Sequence, residues 1–514
     1  MNKLLQYAEA TQTLSKKEKV GQFFMPAAFI NDTEEEIQFI ENLIKEHHIG
    51  GLCFFHSRAS AATNFEGAKA IVYNEQSFDT LKRLIARYQK ASKHPLLISI
   101  DAEWGLAMRI ENTPQYPYAI TLGAINNNTD LILEVGKSIA QDCKLAGIHW
   151  NLSPVVDINN NPNNPVIGYR SFGADRDKVL EKATAFINGT KSEGVLTSIK
   201  HFPGHGDTAT DSHLGLPLIE KSKEELLENE LYPFAALIKD NNVDAVMVGH
   251  LSVPALSHGK KVPATISKAI IDGVLRKELG FDGIVITDAL NMHSVSKMFP
   301  VKGDLEWTAF DAGNDILCFT ENVAEGIHTI IKNATETQIE KSFERVWELK
   351  KKGLENSFSD KQELTTPENL NKKIAQESLT LYSGNDDVIN NFRKEGFSKV
   401  VLGKEIENEF FKLIPDKTEN SENVLVALFP PKIKPKDNFE ILDADLETLK
   451  RLLDTKNVVL YLFGNPYVLN IINFEKAKAV VIAYQDFEVF QENAANHFLE
   501  KIKAKGKLPV TIHS

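Results

Sequence analysis

Residues Ser198–Pro217 read SIKHFPGHGDTATDSHLGLP. The apolar run Val195–Ile199 ends on Lys200 and His201, and the loop that follows adds His205, Asp207, Asp211 and His213 around a Pro-Gly turn. A turn is built from Pro, Gly, Asn and Asp; it has no use for three imidazoles and an ammonium group. Titratable side chains planted where an apolar strand stops are the mark of a strand that opens on a site.

The same junction recurs along the chain. Apolar segments at Gly21–Pro26, Gly50–Phe55, Leu96–Ile100, Ala146–Trp150, Val195–Ile199, Ala245–Val248, Gly283–Thr287 and Asp315–Phe319 read as strands. Their C-terminal ends run into His56, Asp101 with Glu103, Asn151, Lys200 with His201, His250 and Asp288, whereas their N-terminal ends show no such enrichment. Between them lie amphipathic patterns: a lead-in helix over residues 3–20, Thr33–Glu46, Ser222–Lys239 opened by a Ser222…Glu225 capping box, Ser267–Leu279 closed by Gly280, and Gln338–Lys352. This rhythm predicts an α/β chain whose N-terminal domain, residues 1–354, is a (β/α)8 TIM-type barrel, with a doubly wound sheet as the alternative. In a barrel all those polar strand ends share one face.

The pattern breaks at the polar stretch NSFSDKQELTTPENLN, and residues 355–370 are expected to be a linker or a strap. Residues 371–514 then read as a smaller open α/β sandwich domain with strands at Val400–Leu402, Val424–Phe429, Val458–Phe463 and Ala479–Ala483, and without a Gly-rich phosphate loop.

The composition bounds the function. The chain has 514 residues, 42% hydrophobic and 25% charged, with a net charge of -12. Its pI is about 5.7, and so acidic a surface argues against nucleic acid or an anionic membrane as partner. No apolar run is long enough to span a bilayer, and the N-terminus turns polar too early for a secretory signal, which leads to an expected cytoplasmic location. Cys53, Cys143 and Cys318 are far apart and odd in number, as reduced structural thiols would be.

Three groups of residues carry chemistry. Asp288, held at the end of GIVIT, suits a nucleophile or an electrostatic stabiliser, or else an N-cap for the next helix. Asp211 and His213, two apart, would project to one side of an extended loop and form an orienter and a proton-transfer base; an Asx turn beside a packed histidine is the plainer alternative. Asp101, Arg109, Arg170 and Lys200 supply the mixed donors and acceptors that grip sugar hydroxyls, or are surface ion pairs. His201, His205, Asp207, Asp211 and His213 also admit a metal, but all lie on one short loop beside the Lys200 cation, where barrel metal sites draw on several strands; no metal and no cofactor are expected.

With these residues in hand the chain resembles glycoside hydrolase family 3, in its β-N-acetylglucosaminidase branch of the peptidoglycan-recycling type. The resemblance rests on KHFPGHGDTATDSH at Lys200–His213, IDAEWGLAMR at Ile100–Arg109, GYRSFG at Gly168–Gly173, PATIS and ELGFDGIVITDALNM ending at Met292, and AGNDIL at Ala312–Leu317. It implies a retaining, metal-free mechanism in which Asp288 is the nucleophile, His213 the general acid/base and Asp211 its orienter. It likewise implies sugar-binding roles for Asp101, Arg109, Arg170, Lys200 and His201, and a carbohydrate substrate with terminal β-GlcNAc on a muropeptide or chitooligosaccharide. One departure stands out: the family's Asp-x-Glu-Gly-Gly reads Asp101-Ala-Glu103-Trp104-Gly105, which adds bulk beside the sugar site. A β-glucosidase of the same family, a metal-dependent barrel hydrolase and an inactive sugar-binding protein are the competing expectations.

Overall fold

Pro26 cuts the first strand in two. In a computed structural model, which describes residues 4–57, 72–209, 215–356, 359, 361–404, 407–415 and 422–513, the strands in chain order are β1 (Phe24–Met25), β2 (Ala27–Phe29), β3 (Gly51–Phe55), β4 (Leu97–Ile100), β5 (Trp150–Asn151), β6 (Leu196–Phe202), β7 (Ala245–Val248), β8 (Ile284–Thr287) and β9 (Leu317–Cys318). A sheet of order β2-β3-β4-β5-β6-β7-β8 is parallel throughout. The chain around β9 bridges back to β8 at Ile286↔Ile316 and pairs with β1, in the register Phe24↔Leu317 and Met25↔Cys318. Pro26 has no N–H to give to a ladder, so pairing changes partner there: the strand bonds to β9 before it and to β3 after it, and this closes the barrel.

These strands are buried on both faces, the condition under which a parallel strand reads as an unbroken apolar run. All eight expected strand positions are occupied, although helix Asp130–Ala146 runs through Ala146 and leaves only Trp150–Asn151 as strand. The expected lead-in helix is two, Tyr7–Thr13 and Lys16–Gly21, because Ser15 and Glu18 form a capping box that starts a new helix. The Ser222–Glu225 box forms as read, but its helix stops at Glu228; a second begins at Tyr232, with Pro233 in its first turn, where a proline is tolerated. Thr365, on the strap, donates through its backbone N and Oγ1 to Asp142 at 2.8 and 2.7 Å. Cys53, Cys143 and Cys318 are buried free thiols. Among the described residues, no helix is long and apolar enough to cross a membrane.

Contacts group the chain into two units: Met1–Gln115, Val135–Asp157 and Ala183–Thr365, which hold the barrel, and Tyr116–Glu134, Ile158–Lys182 and Thr366–Ser514. The second unit carries β10 (Thr380–Ser383), β11 (Ser398–Gly403), β12 (Asn423–Phe429), β13 (Asn457–Leu462) and β14 (Ala479–Ile482) in the order β10-β14-β13-β12-β11. The four expected strands run parallel, and β10, which the sequence pattern does not announce, adds antiparallel to β14. Its core stacks Phe429 on Phe463 at 4.4 Å among Leu425, Tyr461 and Phe498. The excursion Ile158–Lys182 is tied into this unit by Asn159, whose Nδ2 donates to the Tyr467 hydroxyl at 2.6 Å, and by the Ala174 N–H on the Pro509 carbonyl at 2.9 Å.

Candidate active site

The C-terminal strand ends assemble two polar clusters and, apart from them, the carboxylate of Asp288. At the end of β4, Asp101 has both oxygens engaged: Oδ1 with Lys200 Nζ and Oδ2 with Arg109 Nη2, each at 2.8 Å. Lys200, at the β6 end, also reaches Glu103 Oε1 at 2.8 Å. Among the described residues the cluster pairs two anions with two cations, the condition under which buried charges are tolerated. Burial pushes the Asp101 carboxyl up, but Lys200 and Arg109 outweigh it and hold the group below the usual carboxylate range. The Arg109 guanidinium lies 4.5 Å from the centre of the Phe55 ring, at the end of β3, which fixes its plane. Asn151, on β5, clamps the intervening turn from beneath, accepting the Ala102 N–H at 3.0 Å and donating to the Ala102 carbonyl at 3.1 Å.

The second cluster forms around Asp157, which is fully buried. Its Oδ2 lies 2.7 Å from His201 Nδ1, and it accepts the backbone N–H of His201 at 3.1 and 3.2 Å and that of His205 at 2.7 Å. Burial raises the Asp157 carboxyl, and the His201 imidazole with the surrounding donors brings it below its ordinary value. Burial drives the His205 imidazole down to about 4, with His201 adding to the effect. Thr208 Oγ1 donates to the His205 carbonyl at 3.0 Å, so its contact with His205 Nδ1 at 2.7 Å places the ring proton on Nδ1. The Lys200–His201 and Phe202–Pro203 peptide bonds in this turn are cis.

Asp288 follows β8. Its backbone N–H bonds to the Val248 carbonyl at 3.0 Å, and its Oδ1 accepts the Ala289 N–H at 2.7 Å. The next helix, His293–Ser296, has Met292 at its N-cap, so Asp288 does not serve as that cap. His250, buried at the β7 end, donates from Nε2 to the Ala289 carbonyl at 2.9 Å and meets Thr265 Oγ1 through Nδ1 at 2.7 Å. The backbone that carries Asp288 is thus pinned from the adjacent strand.

Of the residues picked from sequence, Asp101, Arg109 and Lys200 come together, His201 joins Asp157, and Asp288 lies at the same end of the barrel. Arg170, on the turn Gly168–Arg170, belongs to the second unit, where its Nη1 donates to the Val166 carbonyl at 3.2 Å. Asp211 and His213 lie outside the described residues. Asp157 was missed, although Val155-Val156-Asp157 repeats the apolar-run-into-carboxylate pattern. Glu103 and His250 were visible as strand-end residues, but nothing in their spacing shows what they hold. Among the described residues, no three His, Cys, Asp or Glu side chains are grouped to hold a metal ion. Three of the loop's metal candidates have other partners: His201 has Asp157, His205 has Thr208, and Asp207 bonds Lys221 at 2.8 Å.

The profile of the Glycosyl hydrolase family 3 N terminal domain matches residues 15–349. The chain is 35% identical over 291 residues to Beta-hexosaminidase A of Pseudoalteromonas piscicida, covering 54% of this chain and 46% of that protein. It is 35% identical over 259 residues to Beta-hexosaminidase of Tolumonas auensis, covering 50% of this chain and 75% of that one. The chain thus spans less than half of the first relative's length. Among solved structures, a glycoside hydrolase family 3 beta-N-acetylglucosaminidase from Paenibacillus sp. str. FPU-7 superposes with a TM-score of 0.79 at 28% identity, over 97% of this chain and 99% of that one.

Proposed function

The chain belongs to glycosyl hydrolase family 3, and from that premise we propose that it is a retaining exo-β-N-acetylglucosaminidase releasing terminal β-linked GlcNAc from muropeptides or chitooligosaccharides. The observation that carries the reading is the position of Asp288: a rigidly held carboxylate at the barrel end where Asp101, Lys200, Arg109 and Glu103 offer paired donors and acceptors for a sugar's hydroxyls. Likeness to the Paenibacillus enzyme over nearly the whole chain supports the choice of sugar.

In this scheme Asp288 attacks the anomeric carbon while His213 protonates the leaving oxygen, giving a glycosyl ester on Asp288. His213 then takes a proton from water, which attacks the same carbon and frees the carboxylate. Asp211 orients His213. Asp101 accepts from sugar hydroxyls, while Lys200 and Arg109 donate to them; His201 and Arg170 are assigned to sugar binding by motif. No metal or cofactor takes part. A cytoplasmic place in peptidoglycan recycling fits the three buried thiols.

The test is release of p-nitrophenol from its β-GlcNAc glycoside and its β-glucoside, with EDTA present, by the wild type, Asp288→Ala and His213→Ala. GlcNAc-selective turnover is expected, lost in Asp288→Ala and restored in part by azide as an external nucleophile. Preference for the glucoside, loss of activity in EDTA, or full activity in Asp288→Ala would overturn the assignment.

A further inference from the structure

The turn that carries Arg170 is shaped by a residue outside it. Gly168–Arg170 is one tight turn, with the Arg170 N–H on the Ile167 carbonyl at 2.7 Å and the Ser171 N–H on the Gly168 carbonyl at 3.2 Å. Asn164 opens it, its Oδ1 accepting the N–H groups of Val166 at 2.9 Å and Ile167 at 2.8 Å. Asn159 holds both ends at once. Its Oδ1 accepts the Gly168 N–H at 3.0 Å, and its backbone N–H donates to the Gly173 carbonyl at 2.9 Å. Asn159 is 2% exposed, so water offers no ready substitute for these bonds.

The other edge of the Asn159 amide fixes its orientation. Nδ2 donates to the Tyr467 hydroxyl at 2.6 Å and to the Asn161 carbonyl at 3.2 Å. The oxygen and the two N–H groups of an amide lie in one plane, so bonds on both edges hold the rotation of the whole group. Tyr467 is a firm anchor. It is buried, its N–H bonds to Asn465 Oδ1 at 3.0 Å, and Asn465 Nδ2 donates to the Ile433 carbonyl at 2.8 Å. It lies in the segment Pro466–Ile471, between β13 and β14 of the second unit's sheet. The far end of the turn meets the same unit again: the Ala174 N–H bonds to the Pro509 carbonyl at 2.9 Å, and a Cβ on Gly173 would stand 2.4 Å from that oxygen. Removing the Tyr467 hydroxyl leaves a buried N–H unpaired and releases one edge of the amide.

We propose that Asn159 and Tyr467 are positioning residues, through which the second unit sets the turn that offers Arg170 to the sugar. The inference rests on the proposed function, which assigns Arg170 to sugar binding by motif. The experiment is steady-state kinetics of the full chain on p-nitrophenyl β-GlcNAc. Tyr467→Phe deletes one hydroxyl and keeps the ring. It is expected to raise KM about threefold or more with kcat little changed, as a lost binding contact does. Added to Arg170→Ala it should raise KM no further, because the tyrosine acts through that arginine. Tyr461→Phe is the control for destabilisation alone. It removes another buried hydroxyl of the same unit, bonded to His497 Nδ1 at 2.8 Å, and should lower Tm without moving KM. An unchanged KM in Tyr467→Phe or in Arg170→Ala, an equal rise in Tyr461→Phe, or rises that combine in full in the double variant would overturn the proposal. Should Tyr467→Phe fail to fold, Asn159→Ala carries the same cycle with the same outcomes. A wild type that turns over no β-GlcNAc glycoside would bring down the proposed function and this inference with it, so the two failures are told apart.

Discussion

Asp157 holds His201 at two points at once, by the ring Nδ1 at 2.7 Å and by the backbone N–H at 3.1 and 3.2 Å. A carboxylate against Nδ1 keeps the proton on that nitrogen and fixes the orientation of the ring. Because the same carboxylate also takes the His205 N–H at 2.7 Å, one buried side chain sets the path of the whole turn.

Replacing Asp157 by Asn keeps the size and removes the charge. The amide can present a donor to Nδ1 and invert the ring's tautomer. Asp157→Asn is expected to lower kcat/KM by at least about tenfold while leaving most of the stability. Asp157→Ala, which strands three donors in the interior, should cost about 3 kcal/mol or more of folding free energy. Kinetics and urea denaturation of the two variants separate orientation from folding. Unchanged kcat/KM in Asp157→Asn would remove the positioning role.

Lys200 has a side chain 2% exposed and neutralises two carboxylates, Asp101 and Glu103. Lys200→Met fills the space yet takes the ammonium from both carboxylates, while Arg109 stays on Asp101. Breaking a buried network by deleting one partner costs about 3–5 kcal/mol, and a comparable fall in stability is expected in denaturant melts. Joint replacement Lys200→Met with Glu103→Gln should recover part of it, since the cation and one of the carboxylates it pairs with are removed together. Additive losses in the double variant would show that the network is not coupled.

Gly204 has φ +118, and a Cβ placed there would stand 2.8 Å from Glu230 Cβ. Gly204→Ala therefore meets both backbone strain and a clash, and should destabilise the protein by more than about 1 kcal/mol. A Tm equal to wild type would mean that the turn relaxes freely.

Two buried groups give opposite pH slopes. The His149 imidazole is pushed down to about 4 by burial and by Lys350, and its Nδ1 accepts the Ile98 N–H at 2.9 Å, a bond lost on protonation. With its folded pKa below the unfolded 6.5, it supports stability above that pH, and this support is lost as pH falls from 6.5 toward 4. Burial lifts the Asp142 carboxyl to about 6 from 3.8, so its contribution is present in acid and is lost as pH rises through that window. Asp142→Asn removes the compensating slope. The fall in Tm from pH 6.5 to 4 should be steeper in the variant than in wild type; a shallower fall would contradict the sign.

Much of the fold was legible because a parallel barrel strand buries both faces. Such strands carry no alternation to be confused with their loops, so GIVIT, LISI and AVMV show as plain apolar runs, and Asp288 and Asp101 after the first two are the first residues to be partly exposed. The second unit's β12 to β14 were visible for the same reason, and β11, though mostly half-buried, through its apolar run Val400–Leu402. By contrast β10, with the partly exposed sequence TLYS, has no such run and gains its place only by pairing with β14.

By itself the sequence determined which side chains stand at strand ends, and hence the kinds of chemistry available: a carboxylate at Asp288, cations at Arg109 and Lys200, imidazoles at His201 and His205. Only the tertiary structure decided who meets whom. Lys200 finds Asp101 across 99 positions of chain, and His201 finds Asp157 across 44, because strand register in a closed barrel brings separate loops to one rim. The two excursions that leave the barrel unit, Tyr116–Glu134 with Ile158–Lys182 and its Arg170, were decided in the same way. Local periodicity records the face a residue presents. Partnership over such distances is a property of the closed sheet, and no window of the chain contains it.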